Sequence, residues 1–177
     1  MTAPIKPHVQ QRRNVLRLGF TGAATLAIAP MAWAQSNTEL TEEPTMSALS
    51  TLETFLGHIF TGEMAEALSL VADDAKFISA NPRPNPANKL HGTFVGVKGA
   101  QDFFAGFLEV LEPGEFNVED KFGEGSHAAM YGTLRHTVRS TGKPFISNWA
   151  LIGNVEGGKL TLYHFYEDSE ALSIAMR

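Results

Sequence analysis

The stretch HAAMYGTLRHTVRSTGKPFISNWALIGNVEGGKLTLYHFYE, residues 127–167, consists of three segments in which apolar and polar residues alternate. The segments cover roughly residues 127–139, 145–155 and 159–167, and short turns that contain glycine join them at 141–143 and 156–158. Alternation over this length is typical of β-strands with one buried face, and short glycine turns connect antiparallel neighbours. The pattern therefore predicts two consecutive β-hairpins and an antiparallel sheet.

A fourth strand and several helices precede this stretch. Residues 115–122 form another alternating segment, which adds a first strand to the meander. Apolar residues at helical spacing predict a helix from Ser47 that ends at Gly62, a second helix through residues 64–71 and a third through residues 97–111. A short strand at 77–78 and a proline-rich loop at 82–86 lie between the second and third helices. The sequence predicts an α+β fold, with three helices covering one face of a strongly curved antiparallel sheet.

The amino terminus has the three zones of an export signal. Basic residues without an acidic one come first, an apolar stretch follows at 18–29, and Ala32, Trp33 and Ala34 give the small-x-small pattern of a cleavage site. Arg12 and Arg13, followed by an apolar pair and a basic residue, resemble the twin-arginine motif. A membrane anchor is the alternative, but the apolar stretch falls short of the roughly 20 residues that span a bilayer.

We therefore expect residues 1–34 to be removed as a twin-arginine signal peptide, so that the protein becomes periplasmic or secreted. Residues 35–46 are predicted to form a flexible leader, and residues 47–177 a single domain. Removal of residues 1–34, which carry four basic and no acidic residues, would leave 10 basic and 19 acidic residues and a formal charge of -9. Such a field disfavours nucleic acid and anionic membranes, so neither is expected as a partner.

The composition limits the chemistry further. Hydrophobic residues make up 44% of the 177 residues and charged residues 19%, which is typical of a folded globular protein. The absence of cysteine excludes disulfides, thiolate metal sites and cysteine nucleophiles. Histidine and acidic residues show no metal-ligand spacing, and no phosphate-binding glycine loop is present. We expect neither a metal nor another cofactor.

Two polar residues fall on predicted apolar strand faces. Asp120 alternates with Phe116, Val118 and Phe122, and a desolvated carboxylate there could act as a general acid or base. The alternative is a strand-end aspartate that bonds a nearby amide and stays near water. His136 lies on the apolar face of the next strand and could both take and give a proton, although an inward histidine is also common in ordinary cores.

The last strand presents further candidates. Strict alternation places Leu160, Leu162, His164, Tyr166 and Asp168 on one side. Tyr166 could orient a substrate and His164 could contact it, while Asp168 could serve the pocket or cap a closing helix at 169–175, the second role being favoured. His91 and Trp149 are candidates for the rim or wall of a pocket, with a core role as the alternative for Trp149.

Four local motifs in order resemble the nuclear transport factor 2-like superfamily and, within it, the SnoaL-like and ketosteroid isomerase-like branch. The motifs are GEMAEALSLVADD (62–74), GTFVGVKGAQDFF (92–104), TGKPF (141–145) and GGKLTLYHFYED (157–168). The resemblance, which covers roughly residues 48–172, implies a cone-shaped fold around an apolar pocket. It also implies that two copies pair through the outer face of the sheet, so we expect a homodimer.

The resemblance also removes two activities. It places Phe55, Ser79 and about Ala150 where ketosteroid isomerases carry a catalytic tyrosine, a general-base aspartate and a second acid, so that Phe55 becomes a ligand-binding wall residue. It places Phe165 at the last-strand carboxylate of limonene epoxide hydrolases. Since these side chains lack the required proton chemistry, neither activity is expected.

Three hypotheses remain for the pocket. The first is a cofactor-free isomerase, dehydratase or cyclase that acts on a small apolar metabolite, with His136 and Asp120 exchanging protons and Tyr166 orienting the substrate. The second is a domain that binds a hydrophobic ligand without catalysis. The third is a structural dimerisation module. A shared fold does not choose among them.

Overall fold

The computed structural model describes residues 46–177. The predicted signal peptide and nearly all of the predicted leader lie outside these residues. Along the chain, the elements are α1 (Ala48–Thr61), α2 (Met64–Ser69), β1 (Val71–Ser79), β2 (Gly92–Val95), α3 (Gly96–Val110), β3 (Leu111–Glu124), β4 (His127–Val138), β5 (Pro144–Glu156), β6 (Lys159–Glu167) and α4 (Ser169–Ala175).

Helix α1 begins and ends where the sequence predicts. The Ser47 hydroxyl caps its amino terminus by accepting from the Ser50 backbone N–H at 3.1 Å. Gly62 ends the helix in the left-handed conformation, with φ of 79°, and its N–H bonds the carbonyls of the last turn. The buried face of α1 carries Leu52, Phe55 and Leu56, which pack towards the sheet.

The six strands form one sheet in the order β2-β1-β6-β5-β4-β3. The predicted meander of β3 to β6 is confirmed, and all neighbouring strands run antiparallel except β1 and β6, which are parallel. The short strand predicted around Phe77 extends from Val71 to Ser79. Asp73 and Asp74 therefore lie within β1, and β2 is a strand that the alternation was too short to show.

Bulges in β3 and β6 reverse the alternation at the positions of several candidate residues. In β3, Val118 pairs with Gly132 and Asp120 with Tyr131, so two residues of β3 oppose one of β4. In β6, Leu160 pairs with Val155 and Leu162 with Asn154, so the same irregularity occurs there. Because each bulge adds one residue, every side chain beyond it points to the face opposite the one that strict alternation predicts.

An aromatic cluster fills the core between α1, α3 and the sheet. Phe55 is fully buried, and its ring lies 5.8–5.9 Å from those of Phe77, Phe104 and Tyr163. Phe103 joins the cluster from α3, as the predicted apolar stripe of that helix requires. Among residues 46–177, no helix is both long and apolar enough to cross a membrane.

Candidate functional site

The aromatic cluster does not fill the whole interior, and a cavity of about 570 Å³ remains between the helices and the inner face of the sheet. This volume is in the range of small-molecule binding sites. Four of its eighteen lining residues have polar side chains: Ser79, His136, Tyr163 and Glu167. The apolar part of the lining comes from helices α1, α2 and α3, from strands β3 and β6, and from the loop before β2. Its residues are Leu56, Ile59, Phe60, Met64, Leu90, Phe103, Phe104, Phe107, Leu108, Pro113, Phe116 and Phe165.

His136 lines this cavity from β4, so its predicted inward orientation is confirmed. The residue is 5% exposed, and its ring packs edge-on against Phe107 with centroids 5.3 Å apart. The backbone N–H of Gly114, at the start of β3, donates to His136 Nδ1 at 3.0 Å. Helix α3 and the hairpin of β3 and β4 thus fix both the position and the rotation of the imidazole.

The hydrogen bond from Gly114 also determines where the His136 proton lies. Nδ1 accepts a hydrogen bond, so in the neutral ring it carries no proton and the proton is on Nε2. Burial lowers the pKa of His136, and a bond to the Arg135 backbone opposes this shift only in part. At neutral pH the imidazole that lines the cavity is therefore neutral and can donate a hydrogen bond from Nε2–H.

Glu167, at the end of β6, is a cavity residue that the sequence analysis missed. Its Oε1 atom is buried and has no hydrogen-bond partner among the described residues. Burial raises the pKa of Glu167 to about 7, because no neighbour compensates the charged form. A carboxyl group that titrates near neutrality in an apolar cavity can both remove and return a proton.

Two hydroxyl groups accompany Glu167 on this side of the cavity. Ser79, at the end of β1, is 4% exposed and pairs with Phe165 of β6. Burial, assisted by the charge of Glu167, raises the pKa of Tyr163 far above its ordinary value, so that its phenol stays protonated. Ser79 and Tyr163 can therefore donate hydrogen bonds to a molecule near Glu167.

Asp120 lies outside the cavity, and its predicted inward orientation is wrong. The bulge between Val118 and Asp120 places this residue opposite Tyr131, on the outer face of the sheet. Asp120 is exposed, and its carboxylate accepts from the backbone N–H of Lys121 at 2.8 Å. Asp120 is therefore the solvated aspartate bonded to a nearby amide that the sequence analysis gave as the alternative to a catalytic role.

Tyr166 and His164 also lie on the outer face, because the β6 bulge reverses the strand after Leu160. Tyr166 is 43% exposed, and its hydroxyl bonds His164 Nδ1 at 2.9 Å while the two rings stack at 4.0 Å. Their predicted position in the pocket is wrong. Asp168 caps α4 by accepting from the N–H groups of Glu170 and Ala171, as the favoured interpretation requires.

The other predicted wall residues lie behind the cavity surface or beside it. Phe55 belongs to the packed aromatic cluster and does not line the cavity. Trp149 is 3% exposed and stacks against Phe116 and Phe165, both of which line the cavity. His91 ends the proline-rich loop outside the cavity, where its Nε2 meets the Asn88 side-chain amide at 3.2 Å.

The aromatic spacing of β6 carried the signal that would have found Glu167. Tyr163 and Phe165 are large apolar rings at alternate positions, and Glu167 continues their series. Counting forward in steps of two from these rings places Glu167 on the inner face, whereas counting from Leu160 places it on the outer face. In residues 46–177, no three His, Asp or Glu side chains converge as metal ligands do.

Comparisons with known proteins agree with this architecture. The family model of SnoaL-like domains matches residues 52–163, nearly two thirds of the chain. Among curated proteins, none matches the chain. Solved structures do match, at identities that show the fold alone.

Three of these structures illustrate the likeness. A nuclear transport factor 2-like protein from Burkholderia xenovorans is 21% identical, with a TM-score of 0.66, and the match covers 75% of this chain and 99% of that one. TerC, co-crystallised with polyporic acid, is 17% identical with a TM-score of 0.64, covering 73% and 97%. A proposed isomerase from Rhodopseudomonas palustris is 16% identical with a TM-score of 0.62, covering 75% and 99%.

Proposed function

Because this chain belongs to the family of SnoaL-like domains, we propose that its cavity binds a small apolar molecule and catalyses a proton transfer on it without a cofactor. The reaction would be an isomerisation, a dehydration or a cyclisation. One observation carries the proposal: the buried Oε1 of Glu167 has no partner among residues 46–177 and belongs to an apolar cavity of about 570 Å³. A carboxyl group left unpaired in such a place is costly to the fold, which suggests that it serves a ligand.

The proposed roles differ from those expected of the sequence. Glu167 is the general acid and base, since a pKa of about 7 leaves both of its protonation states populated at neutral pH. His136 binds and polarises the substrate through Nε2–H, because its Nδ1 is engaged by Gly114. Asp120 and Tyr166 have no part in the reaction, since both lie outside the cavity.

The apolar wall and the similar structures support this assignment. Fourteen of the eighteen lining residues offer only carbon surface or backbone, so a ligand must be largely apolar to displace water there. Among the similar structures, TerC was crystallised with polyporic acid and the protein from Rhodopseudomonas palustris is a proposed isomerase. The same apolar wall also supports the second candidate, a domain that binds a hydrophobic ligand without changing it.

Matched carboxylate variants distinguish these two candidates. Apolar ligands that raise the melting temperature of the wild-type domain are incubated with wild type, Glu167→Gln and Asp120→Asn, and the products are analysed by mass spectrometry. We expect turnover to fall at least about 100-fold in Glu167→Gln while the thermal shift remains. Asp120→Asn makes the same chemical change on the outer face and should behave as wild type.

Each other outcome has a definite meaning. Binding without turnover in all three proteins would support the carrier and contradict the enzyme. Equal turnover in Glu167→Gln and wild type would contradict the role of Glu167. If no apolar ligand raises the melting temperature of the wild type, both uses of the cavity are wrong.

The proposal includes export before function. Residues 1–34 support it through Arg12, Arg13 and the Ala-Trp-Ala pattern, all of which lie outside the described residues. In bacterial cells that possess the twin-arginine pathway, we expect the periplasmic protein to begin at Gln35. Arg12→Lys with Arg13→Lys should retain the full-length chain in the cytoplasm. Periplasmic recovery of this double variant at the wild-type level would contradict the twin-arginine route.

A further inference from the structure

Strand β3 is the long free edge of the sheet. It has 14 residues and, among residues 46–177, pairs only with β4, whereas β2 at the opposite edge has four residues. Twelve of the 14 residues of β3 are exposed. The backbone N–H of Lys121 donates to the Asp120 carboxylate at 2.8 Å instead of to β4, so it points to the free edge. An edge of this kind can accept a further strand.

The outer face of β3 is acidic. Most of its acidic residues pair with exposed or half-buried residues of β4, which places them on the outer face: Glu112, Glu115, Asp120 and Glu124. Glu119, at the bulge, adds a fifth carboxylate. Among residues 46–177 none of the five forms an ion pair, and the single lysine of the strand, Lys121, is bonded to Glu53 of α1. Since β4 contributes only Arg135, opposite Glu115, the edge carries an excess of negative charge.

The inner face of β3 borders an apolar groove. Val118 and Lys121 pair with buried residues of β4 and therefore belong to this face. Between them and helix α1 lies a groove of about 220 Å³, whose apolar lining is Leu56, Gly57, Phe60, Val118 and Met130. Phe60 is 61% and Val118 46% exposed, so apolar surface is open beside the edge. A strand added to β3 continues the inner face of the sheet, and its side chains there can bury part of this surface.

The two faces of β3 define the strand that fits its edge. Opposite charges on neighbouring strands stabilise a sheet and like charges destabilise it, so the added strand needs basic residues on the outer face and apolar residues on the inner face. A second copy of β3 does not fit, because it would bring five more carboxylates to the same sheet. Carboxylates alone would only protect the edge from self-association, whereas the groove beside them supplies apolar burial for a different strand.

We propose that β3 is a docking edge for a partner protein, which adds an extended segment with alternating basic and apolar residues. The added strand bonds the free backbone groups of β3, its basic side chains contact the outer carboxylates, and its apolar side chains enter the groove beside α1. This groove contains neither His136 nor Glu167, so the interaction is independent of the chemistry proposed for the cavity.

Three octapeptides test the proposal. The first alternates lysine and valine, the second has four lysines followed by four valines, and the third alternates glutamate and valine. Each is titrated into the ¹⁵N-labelled protein and followed by amide chemical shifts. We expect the alternating basic peptide to bind at least about fivefold more tightly than the block peptide, and the acidic peptide not to bind. The shifts should centre on β3 and include the Lys121 amide, whose bond to Asp120 is replaced.

Matched charge variants test the outer face. Glu115→Gln with Glu124→Gln removes two carboxylates from β3 and should weaken binding of the alternating basic peptide about fivefold. Glu66→Gln with Glu156→Gln makes the same change in charge at exposed positions outside β3 and should bind as wild type does. Equal weakening in both double variants would overturn the proposal, because it would show attraction to net charge alone.

A groove-filling variant tests the inner face. A Cβ atom at Gly57 would meet no atom within 4 Å, so Gly57→Leu can occupy the groove without displacing its neighbours. Its melting temperature should equal or exceed that of wild type, because glycine is unfavourable within a helix, while binding of the alternating basic peptide should fall at least about fivefold. Unchanged binding by this variant would overturn the proposal.

The wild-type titrations alone can also overturn the proposal. They do so if the alternating basic peptide does not bind, if the block peptide binds equally well, or if the shifts centre on β2 or on the outer face of β5 and β6. Shifts of the β3 amides that depend on protein concentration without peptide would show that a second copy occupies the edge, contrary to the proposal.

Discussion

The two faces of β6 carry similar polar side chains in opposite situations. On the outer face, Tyr166 and His164 bond each other, and Tyr166 is 43% exposed. On the inner face, Tyr163 is buried among aromatic rings and Glu167 holds a carboxylate oxygen without a partner among the described residues. The outer pair satisfies the Tyr166 hydroxyl and His164 Nδ1 through each other, although His164 Nε2 is buried without a partner among the described residues. On the inner face, the Glu167 carboxyl has no such bond within the protein and is left for whatever enters the cavity.

The largest expected difference between the faces is in packing. Tyr163→Ala should lower the free energy of unfolding by about 3–5 kcal/mol, since it removes a ring that contacts Phe55, Phe77 and Phe104. Tyr166→Ala, the matched change on the outer face, should cost less than about 1 kcal/mol. Urea denaturation of both variants measures the two losses. Equal losses would mean that the two faces do not differ in packing.

A smaller effect should appear in the pH dependence. Burial raises the pKa of Glu167 from 4.5 to about 7, so the folded state binds more protons than the unfolded state between these values. This contribution to stability is complete below pH 4.5 and is lost as the pH rises through 7. Relative to Glu167→Gln, the wild type should lose up to about 3 kcal/mol between pH 5 and pH 8.

The comparison with the variant is needed because histidines act in the opposite direction. Burial lowers the pKa values of His91, His136 and His164, so their contribution to stability is lost as the pH falls below about 6.5. Both proteins contain these histidines, so their effect cancels in the difference. Glu156→Gln, at the exposed end of β5, should follow the wild type. Parallel pH profiles of wild type and Glu167→Gln would contradict the desolvation of Glu167.

The smallest effect should come from the outer hydrogen bond. Tyr166→Phe removes the hydroxyl that bonds His164 Nδ1 but keeps the stacked ring. Because water can replace the bond at the surface, we expect a loss of at most about 1 kcal/mol at pH 7.5. A loss above about 2 kcal/mol, measured by urea denaturation, would show that the outer pair is as desolvated as the inner one.

Local pattern was sufficient to predict most of the architecture. The Ser47 and Gly62 boundaries of α1, the meander and the Asp168 cap follow from interactions within a few residues, and the structure contains them. The parallel partner of β1 is remote in sequence, and β2 has four residues, so neither left a local signal.

The site was harder to predict, because one unrecognised bulge assigns every later residue of a strand to the wrong face of the sheet. His136 lies in a strand whose pairing with β5 is regular, and its inward orientation was correct. Asp120 and Tyr166 each lie beyond a bulge and were assigned to the wrong face, and Glu167, beyond the same bulge as Tyr166, was missed. A bulge depends on how two strands fit together, which the alternation of one strand does not contain.

The parallel pairing of β1 with β6 has a consequence for biosynthesis. About 90 residues separate Val71 from its partner Leu160, so at roughly 5–20 residues per second the ribosome needs on the order of 5–20 seconds to supply the second strand after the first. During this interval β1 can pair only with the short β2. The apolar surface of α1 and α3 stays exposed, because the sheet that will bury it is incomplete. We therefore expect the nascent chain to leave apolar helix surface exposed until the last strand emerges.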